Sequence, residues 1–378
     1  MEKRELVRYP WNATFELTAR CNLKCKMCLV RIDGEQMAEL GGRERTSDEW
    51  IAMAKEIQAA GAIGLLLTGG EPLLRPDFSE IYQEIAKLGF MLTLYTNATL
   101  ITPELMEILH KYPPHRIGIT VYGASRDTYE RVTGIPEAYN RMLEGVQLLG
   151  QLPSKITIRT TMIKDNIHDL DRITQWTHAL RPQVEFSVSR IVTKPVRGCS
   201  SKVDACRLTP EQNVAMLEKR NKEFVIEPFH KLVKENSGIV TSRKDIQSNK
   251  TKRSQLEREP TLYGCEAGMN SYTITWDGKL IGCQMLADCW TYPFEEGFMK
   301  AWEDYPAKVW LPPLPEKCSS CSLSCCACPA TRLAETGQLD GIPEYLCKES
   351  VLAKEMEKRL ITQLNDLVMG GDKNRVKV

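Results

Sequence analysis

Three thiols fall within eight residues of the segment ELTARCNLKCKMCLV, spaced Cys21-x3-Cys25-x2-Cys28. Thiolates are soft ligands that suit zinc or iron–sulfur clusters, and spacings of two and three let one loop wrap them around a small inorganic core. Structural zinc usually takes four protein ligands, yet the nearest histidine in sequence is the distant His110. A set of three favours a four-iron cluster with one iron left open for a non-protein ligand. The second feature is LLLTGGEPLLRPDF, where Gly69, Gly70, Glu71 and Pro72 follow an apolar run. Glycine supplies the backbone freedom a βα turn needs. Open backbone beside a carboxylate, at the C-terminal end of a strand, is where parallel α/β folds bind ligands. Such a turn could hold the ammonium group of a small zwitterion.

The elements that must position these residues alternate between two periodicities. Strand-like runs are TFELT (14–18), IGLLLT (63–68), FMLTLYT (90–96), RIGITVY (116–122), KITIRTTMI (155–163) and EFSVSRIV (185–192). Helical patterns separate them. In SDEWIAMAKEIQAAG, Ser47 is the expected cap, Asp48 and Glu49 occupy the first turn, and Gly61 ends the helix. Strands alternating with helices imply βαβ units, a parallel sheet and right-handed crossovers. Six units fit a closed or nearly closed barrel, or an open doubly wound sheet. Further on, SYTITWDGKLIGCQML reads as a β-hairpin turning at Asp277-Gly278. A charged amphipathic helix is expected from about Lys348 to Met369. The run TSRKDIQSNKTKRSQLEREP reads as a solvated face or linker.

Lys and Arg total 50 against 49 Asp and Glu, so no global basic field points to nucleic acid or an acidic membrane. The N-terminus MEKRELVRYPWNA has no apolar signal region, and no apolar run is long enough to span a bilayer. A cytoplasmic protein is expected. Thiols stay reduced there, so 14 cysteines argue for metal rather than disulfides.

Cys21, Cys25 and Cys28, with Met27 in the bulky position and the Gly-Gly-Glu-Pro turn after the second strand, resemble the radical S-adenosylmethionine (SAM) superfamily. The resemblance implies an α/β fold, a partial (β/α)6 barrel, whose [4Fe–4S] cluster is chelated at the open iron by the amino and carboxylate groups of SAM. It implies reduction of SAM to a 5′-deoxyadenosyl radical by electrons from a donor such as flavodoxin or ferredoxin. It also nominates Thr96 and Asn97 at the end of strand three, Thr120 as a ribose-contacting hydroxyl, and Arg159 as a bidentate partner of a carboxylate.

Nine of the 14 cysteines lie between 265 and 347. Cys265, Cys283 at the end of Gly-x4-Cys, Cys318, Cys321, Cys325, Cys326, Cys328 and Cys347 resemble the SPASM extension of radical SAM enzymes. That resemblance implies two auxiliary [4Fe–4S] clusters. Cys289 would complete the first, or that cluster keeps an open site for substrate; either Cys325 or Cys326 would ligate the second. A zinc ribbon is the competing reading of this region. Where the sulfatase-maturing branch has an Asp resembling a general base directly after the hairpin cysteine, this chain has Gln284. No room is expected for an N-terminal peptide-recognition domain of ~80 residues.

The expected organisation is a barrel over 1–195, a polar linker and helix over 196–260, a SPASM domain over 261–348, and a helix and tail over 349–378. The expected activity is hydrogen abstraction from a peptide or protein side chain, giving an oxidative modification or a crosslink such as a thioether. Alternatives are oxidation of a small alcohol or sugar, and a non-catalytic metal-binding scaffold, which would have no need of a SAM site. Cys199, beyond strand six, is the candidate hydrogen-atom or electron donor to a substrate radical. Arg190, Lys194, Arg197 and Lys202 are expected to surround it with positive charge, and Cys206 to matter less.

Overall fold

The computed structural model describes residues 6–180, 184–195, 197–198, 203–228, 261–286, 288–323 and 328–370. All six strand-like runs of the first half are strands: β1 (Asn12–Glu16), β2 (Gly64–Thr68), β3 (Met91–Thr96), β4 (Arg116–Thr120), β5 (Lys155–Thr161) and β6 (Glu185–Ser189). Between them run α1 (Ser47–Ala59), α2 (Phe78–Ala86), α3 (Pro103–Lys111), α4 (Arg126–Thr133), α5 (Ala138–Leu149) and α6 (Leu170–Leu180). Every neighbouring pair from β1 to β6 is parallel, as crossover connections through helices require. Alternate strand residues close one face of the sheet: Phe15, Leu65, Leu67, Leu94, Ile117, Ile119 and Ile158 are all 0–1% exposed. Trp50, Met53 and Ile57 of α1 and Ile81, Tyr82 and Ile85 of α2 are equally buried. The α1 cap differs from expectation by one residue. Thr46, not Ser47, accepts from the Glu49 amide, and the Glu49 carboxylate returns to the Thr46 amide. This reciprocal box satisfies two amides that the helix leaves unpaired.

The hairpin forms as β7 (Ser271–Ile274) and β8 (Leu280–Ile281), antiparallel, with Gly278 at φ +90° in the turn. Its placement was not legible locally. β7 lies parallel to β1, from Asn12 opposite Ser271 to Phe15 opposite Ile274. The sheet therefore has eight strands in the order β6-β5-β4-β3-β2-β1-β7-β8. Since β1 pairs with β7 rather than β6, the six-unit barrel is partial.

Compact units do not follow the four expected boundaries. One comprises residues 1–208, 261–315 and 327–341; the other comprises 209–260, 316–326 and 342–378. Pairing with β1 draws the hairpin into the barrel unit. In the second unit, α7 (Pro210–Asn221) shares a small core with the long C-terminal helix through Val214, Leu217, Leu352, Met356 and Leu360. The remaining helices of eight residues or more are α8 (Phe298–Lys308) and α9 (Pro329–Thr336) in the barrel unit and that long helix, α10 (Glu344–Gly370). The charged run at 241–260 lies outside the described residues. Among the described residues no helix is long and apolar enough to cross a membrane.

Candidate metal centre

The chain leaving β1 runs straight into the three-cysteine loop, and the glycine turn after β2 docks against it. The Gly70 amide donates to the Thr18 carbonyl at 2.8 Å and the Glu71 amide to the Arg20 carbonyl at 2.9 Å. The approach is too close for a side chain. A Cβ on Gly69, which also has φ +146°, would lie 2.3 Å from the Thr18 oxygen; one on Gly70 would lie 2.2 Å from that of Arg20. From the other side, the Lys24 and Lys26 amides donate to the carbonyls of Thr133 and Val132 at the end of α4, at 2.9 and 3.1 Å. Arg75, buried under the turn, donates to the Leu17 carbonyl at 2.8 Å and pairs with Asp77.

Within this frame the thiols sit close enough to perturb one another. Burial pushes the Cys21 thiol up to about 12, helped by the charges of Glu71 and Cys28. Cys25, fully buried, is pushed higher still, opposed by a hydrogen bond with the Tyr122 hydroxyl. Backbone amides already point at two sulfurs: Leu23 N to Cys21 Sγ at 3.4 Å and Arg31 N to Cys28 Sγ at 3.3 Å. Desolvated thiolates need a compensating cation, a role iron would fill. Amide–sulfur hydrogen bonds are also what a thiolate-held cluster uses. The donor set fits a cluster. Among the described residues no group of three or more His, Cys, Asp or Glu is placed to hold a single metal ion.

Glu71 does not present its carboxylate to an incoming ammonium group. The residue is 0% exposed. One oxygen accepts from the Thr96 hydroxyl at 2.8 Å and the Leu73 amide at 3.2 Å, the other from the Asn97 amide at 2.7 Å. Burial raises its pKa to about 7 despite these donors. Its work here is to tie β3 to the glycine turn. Thr96 and Asn97 belong to the same internal network. Asn97 donates to Asn22 at 2.9 Å and reaches Cys21 Sγ at 3.9 Å, while Thr99 links the two asparagines. Asn22 and Thr99 carried no sequence signal beyond standing next to motif residues.

Thr120 and Arg159 are half-buried and stand opposite each other across β4 and β5. The Arg159 guanidinium lies over the Tyr95 ring, 4.4 Å from its centroid. Gly118 makes room for this stack: a Cβ there would lie 2.6 Å from the ring. Arg159 is thus held over an aromatic face, where the ring quadrupole favours its charge.

Of the C-terminal cysteines, the barrel unit holds Cys265, Cys283, Cys289 and Cys328. Burial raises the Cys283 thiol, and its charged neighbours include Cys328 and Cys265. Cys289 accepts from the Trp310 amide, and burial raises its thiol as well. In the second unit the Cys321 amide donates to the Cys318 carbonyl at 3.3 Å, and Cys347 sits on α10. Cys325 and Cys326 lie outside the described residues, as does Cys199. Two of the cations expected around Cys199 are already engaged, Lys194 with Asp204 at 3.4 Å and Arg197 with Glu16 at 2.7 Å, and Lys202 lies outside the described residues. Cys206 is buried, its sulfur directed at the Val203 carbonyl.

Residues 15–177 match the model of the Radical SAM superfamily. The chain is similar to an AdoMet-dependent heme synthase of Methanosarcina barkeri, 35% identical over 42% of this chain and 44% of the relative. It is also similar to a PqqA peptide cyclase of Bradyrhizobium diazoefficiens, 28% identical over 44% of this chain and 43% of the relative. The chain thus spans less than half the length of these curated relatives. In fold it is similar to Streptococcus suis SuiB bound to precursor peptide SuiA, with TM-score 0.63 and 16% identity over 90% of this chain and 76% of that one. Native anSMEcpe with bound AdoMet gives TM-score 0.63 and 15% identity over 95% of this chain and 100% of that one.

Proposed function

We propose, from the match of residues 15–177 to the Radical SAM superfamily model, that the chain is a radical SAM enzyme acting on a peptide or protein side chain. Cys21, Cys25 and Cys28 would hold a [4Fe–4S] cluster, which when bound supplies the electron that cleaves SAM to methionine and a 5′-deoxyadenosyl radical. The rest falls to the protein. Gly69 and Gly70 bring the turn against the chain leading to Cys21, Glu71 locks that turn to β3, and Thr120 and Arg159 offer a hydroxyl and a planar cation to the ribose and carboxylate of SAM. Hydrogen abstraction from the side chain then leads to an oxidative modification or a crosslink. The observation that carries this reading is the cysteine loop itself, clamped between the glycine turn and the end of α4 with amides already aimed at its sulfurs.

In the barrel unit Cys265, Cys283 and Cys328, with Cys289 or an open site, would hold one auxiliary cluster; in the second unit Cys318, Cys321, Cys347 and one of Cys325 or Cys326 would hold another. Peptides bound in the fold neighbours, the precursor SuiA on SuiB and Cp18Cys on anSMEcpe, favour a peptide substrate. The test is anaerobic reconstitution followed by SAM and dithionite, with 5′-deoxyadenosine measured by chromatography. A preparation holding about four irons or more that releases none would defeat the proposal. Substrate class is read by co-expression with the small open reading frames beside the gene and mass spectrometry of the products. A second reading, action on a heme-type molecule, rests on the 35% identity to a heme synthase. It predicts visible-band shifts on adding an iron porphyrin, and no mass change in any peptide.

A further inference from the structure

One buried ion pair at the mouth of the barrel has no part in the chemistry above. Glu16 ends β1 with its side chain 4% exposed, and Arg197, beyond β6, has its own 14% exposed. The two terminal nitrogens of Arg197 donate to the two Glu16 oxygens at 2.8 and 2.7 Å. Its third nitrogen, Nε, donates to the carbonyl of Gln284 at 3.0 Å, the residue after Cys283. The next residue, Gly198, lies against the backbone of Leu29 and Val30, directly past Cys28. A Cβ on Gly198 would lie 2.7 Å from the Leu29 carbonyl carbon and oxygen.

Two consecutive residues therefore touch the chain beside two different thiol groups. A guanidinium suits this because its rigid fork grips a carboxylate with two donors while a third points elsewhere; an ammonium has no such fixed geometry. Burying both charges is expensive, and the mutual attraction gives little net stability in return. What such a pair does supply is a fixed position. We propose that Arg197, anchored by Glu16, is a positioning residue that holds Cys283 at a set distance from the Cys21/Cys25/Cys28 loop. This rests on reading Cys283 as an auxiliary-cluster ligand. The brace also links the end of β1 to the segment after β6.

The test uses the full chain, anaerobically reconstituted, in three forms: Arg197→Lys, Glu16→Gln and Cys283→Ala. Iron per chain is measured, together with the potentials of the SAM-sensitive and SAM-insensitive cluster signals by paramagnetic resonance. Expected for Arg197→Lys and Glu16→Gln is loss of about four irons per chain, or a shifted potential of the SAM-insensitive signal, with the SAM-sensitive signal unchanged. Parent-like iron and potentials in both, while Cys283→Ala loses its iron, would overturn the brace and leave the auxiliary site standing. Equal loss of both signals would overturn it too, since the pair would then serve only general stability. If Cys283→Ala keeps all its iron, the auxiliary-site reading fails first and the brace with it. Melting curves identify a variant that does not fold; should Arg197→Lys be one, Glu16→Gln decides the outcome.

Discussion

Gly70→Ala isolates how the glycine turn holds the cysteine loop. Gly70 has no positive φ, so the substitution adds volume without demanding a forbidden backbone conformation. The new Cβ would meet the Arg20 carbonyl oxygen at 2.2 Å, its carbon at 2.6 Å and the Ala19 oxygen at 2.7 Å. Non-bonded carbons rest about 3.5–4.0 Å apart, so turn and loop must separate by roughly 1 Å. That breaks the Gly70-to-Thr18 and Glu71-to-Arg20 hydrogen bonds, about 1 kcal/mol each. Overpacking adds about 1–3 kcal/mol. A total of about 3–5 kcal/mol corresponds to a drop of roughly 6–20 °C in melting temperature for a domain of this size. The loop carrying Cys21 moves with Arg20, so iron uptake at the first site should fall as well. The assay is thermal unfolding of the metal-free protein, followed by iron and sulfide content after reconstitution. Gly34→Ala, where nothing lies within 4 Å of the added carbon, is the matched control. A Gly70→Ala protein that melts with the parent and takes up full iron would refute the reasoning.

Replacing Cys21, Cys25 and Cys28 together by Ala should remove about four irons per chain and all 5′-deoxyadenosine release; iron content and chromatography decide it. Glu71 gives a pH signature. Its pKa is raised from 4.5 to about 7 by burial, so the folded state holds a proton that the unfolded state releases. Its contribution to stability therefore declines as pH rises from about 4.5 to 7, and the penalty is complete above that. The difference in urea stability between parent and Glu71→Gln should change across this window by on the order of 3 kcal/mol; a flat difference would count against it. Arg159→Lys loses the guanidinium over Tyr95 and should weaken SAM binding about tenfold with little change in melting temperature. Anaerobic calorimetry reads the affinity, and unchanged binding would remove Arg159 from the site.

Sequence by itself determined the parallel sheet and the place of the cysteine loop. Both are written in short-range pattern. Runs such as GLLLT and RIGIT can be buried only between helices, and Cys21, Cys25 and Cys28 are neighbours along the chain before any folding. The two glycines were visible as a turn, though not as the surface that docks against Thr18 and Arg20. Only the tertiary structure decided which groups face which across long separations. Glu71 looked like an open carboxylate, but it turns inward because Thr96 and the Asn97 amide, on the next strand, supply the donors it needs when desolvated. Arg197 looked like a free cation beside Cys199, but Glu16, 181 residues away, claims it. The hairpin was legible as a hairpin, yet its parallel seat beside β1 depends on an edge that exists only once the six-strand sheet has formed. Local periodicity specifies the elements because each residue's burial is set by its neighbours in sequence. Partners of buried charges and strand edges are set by proximity in space, which no local pattern encodes.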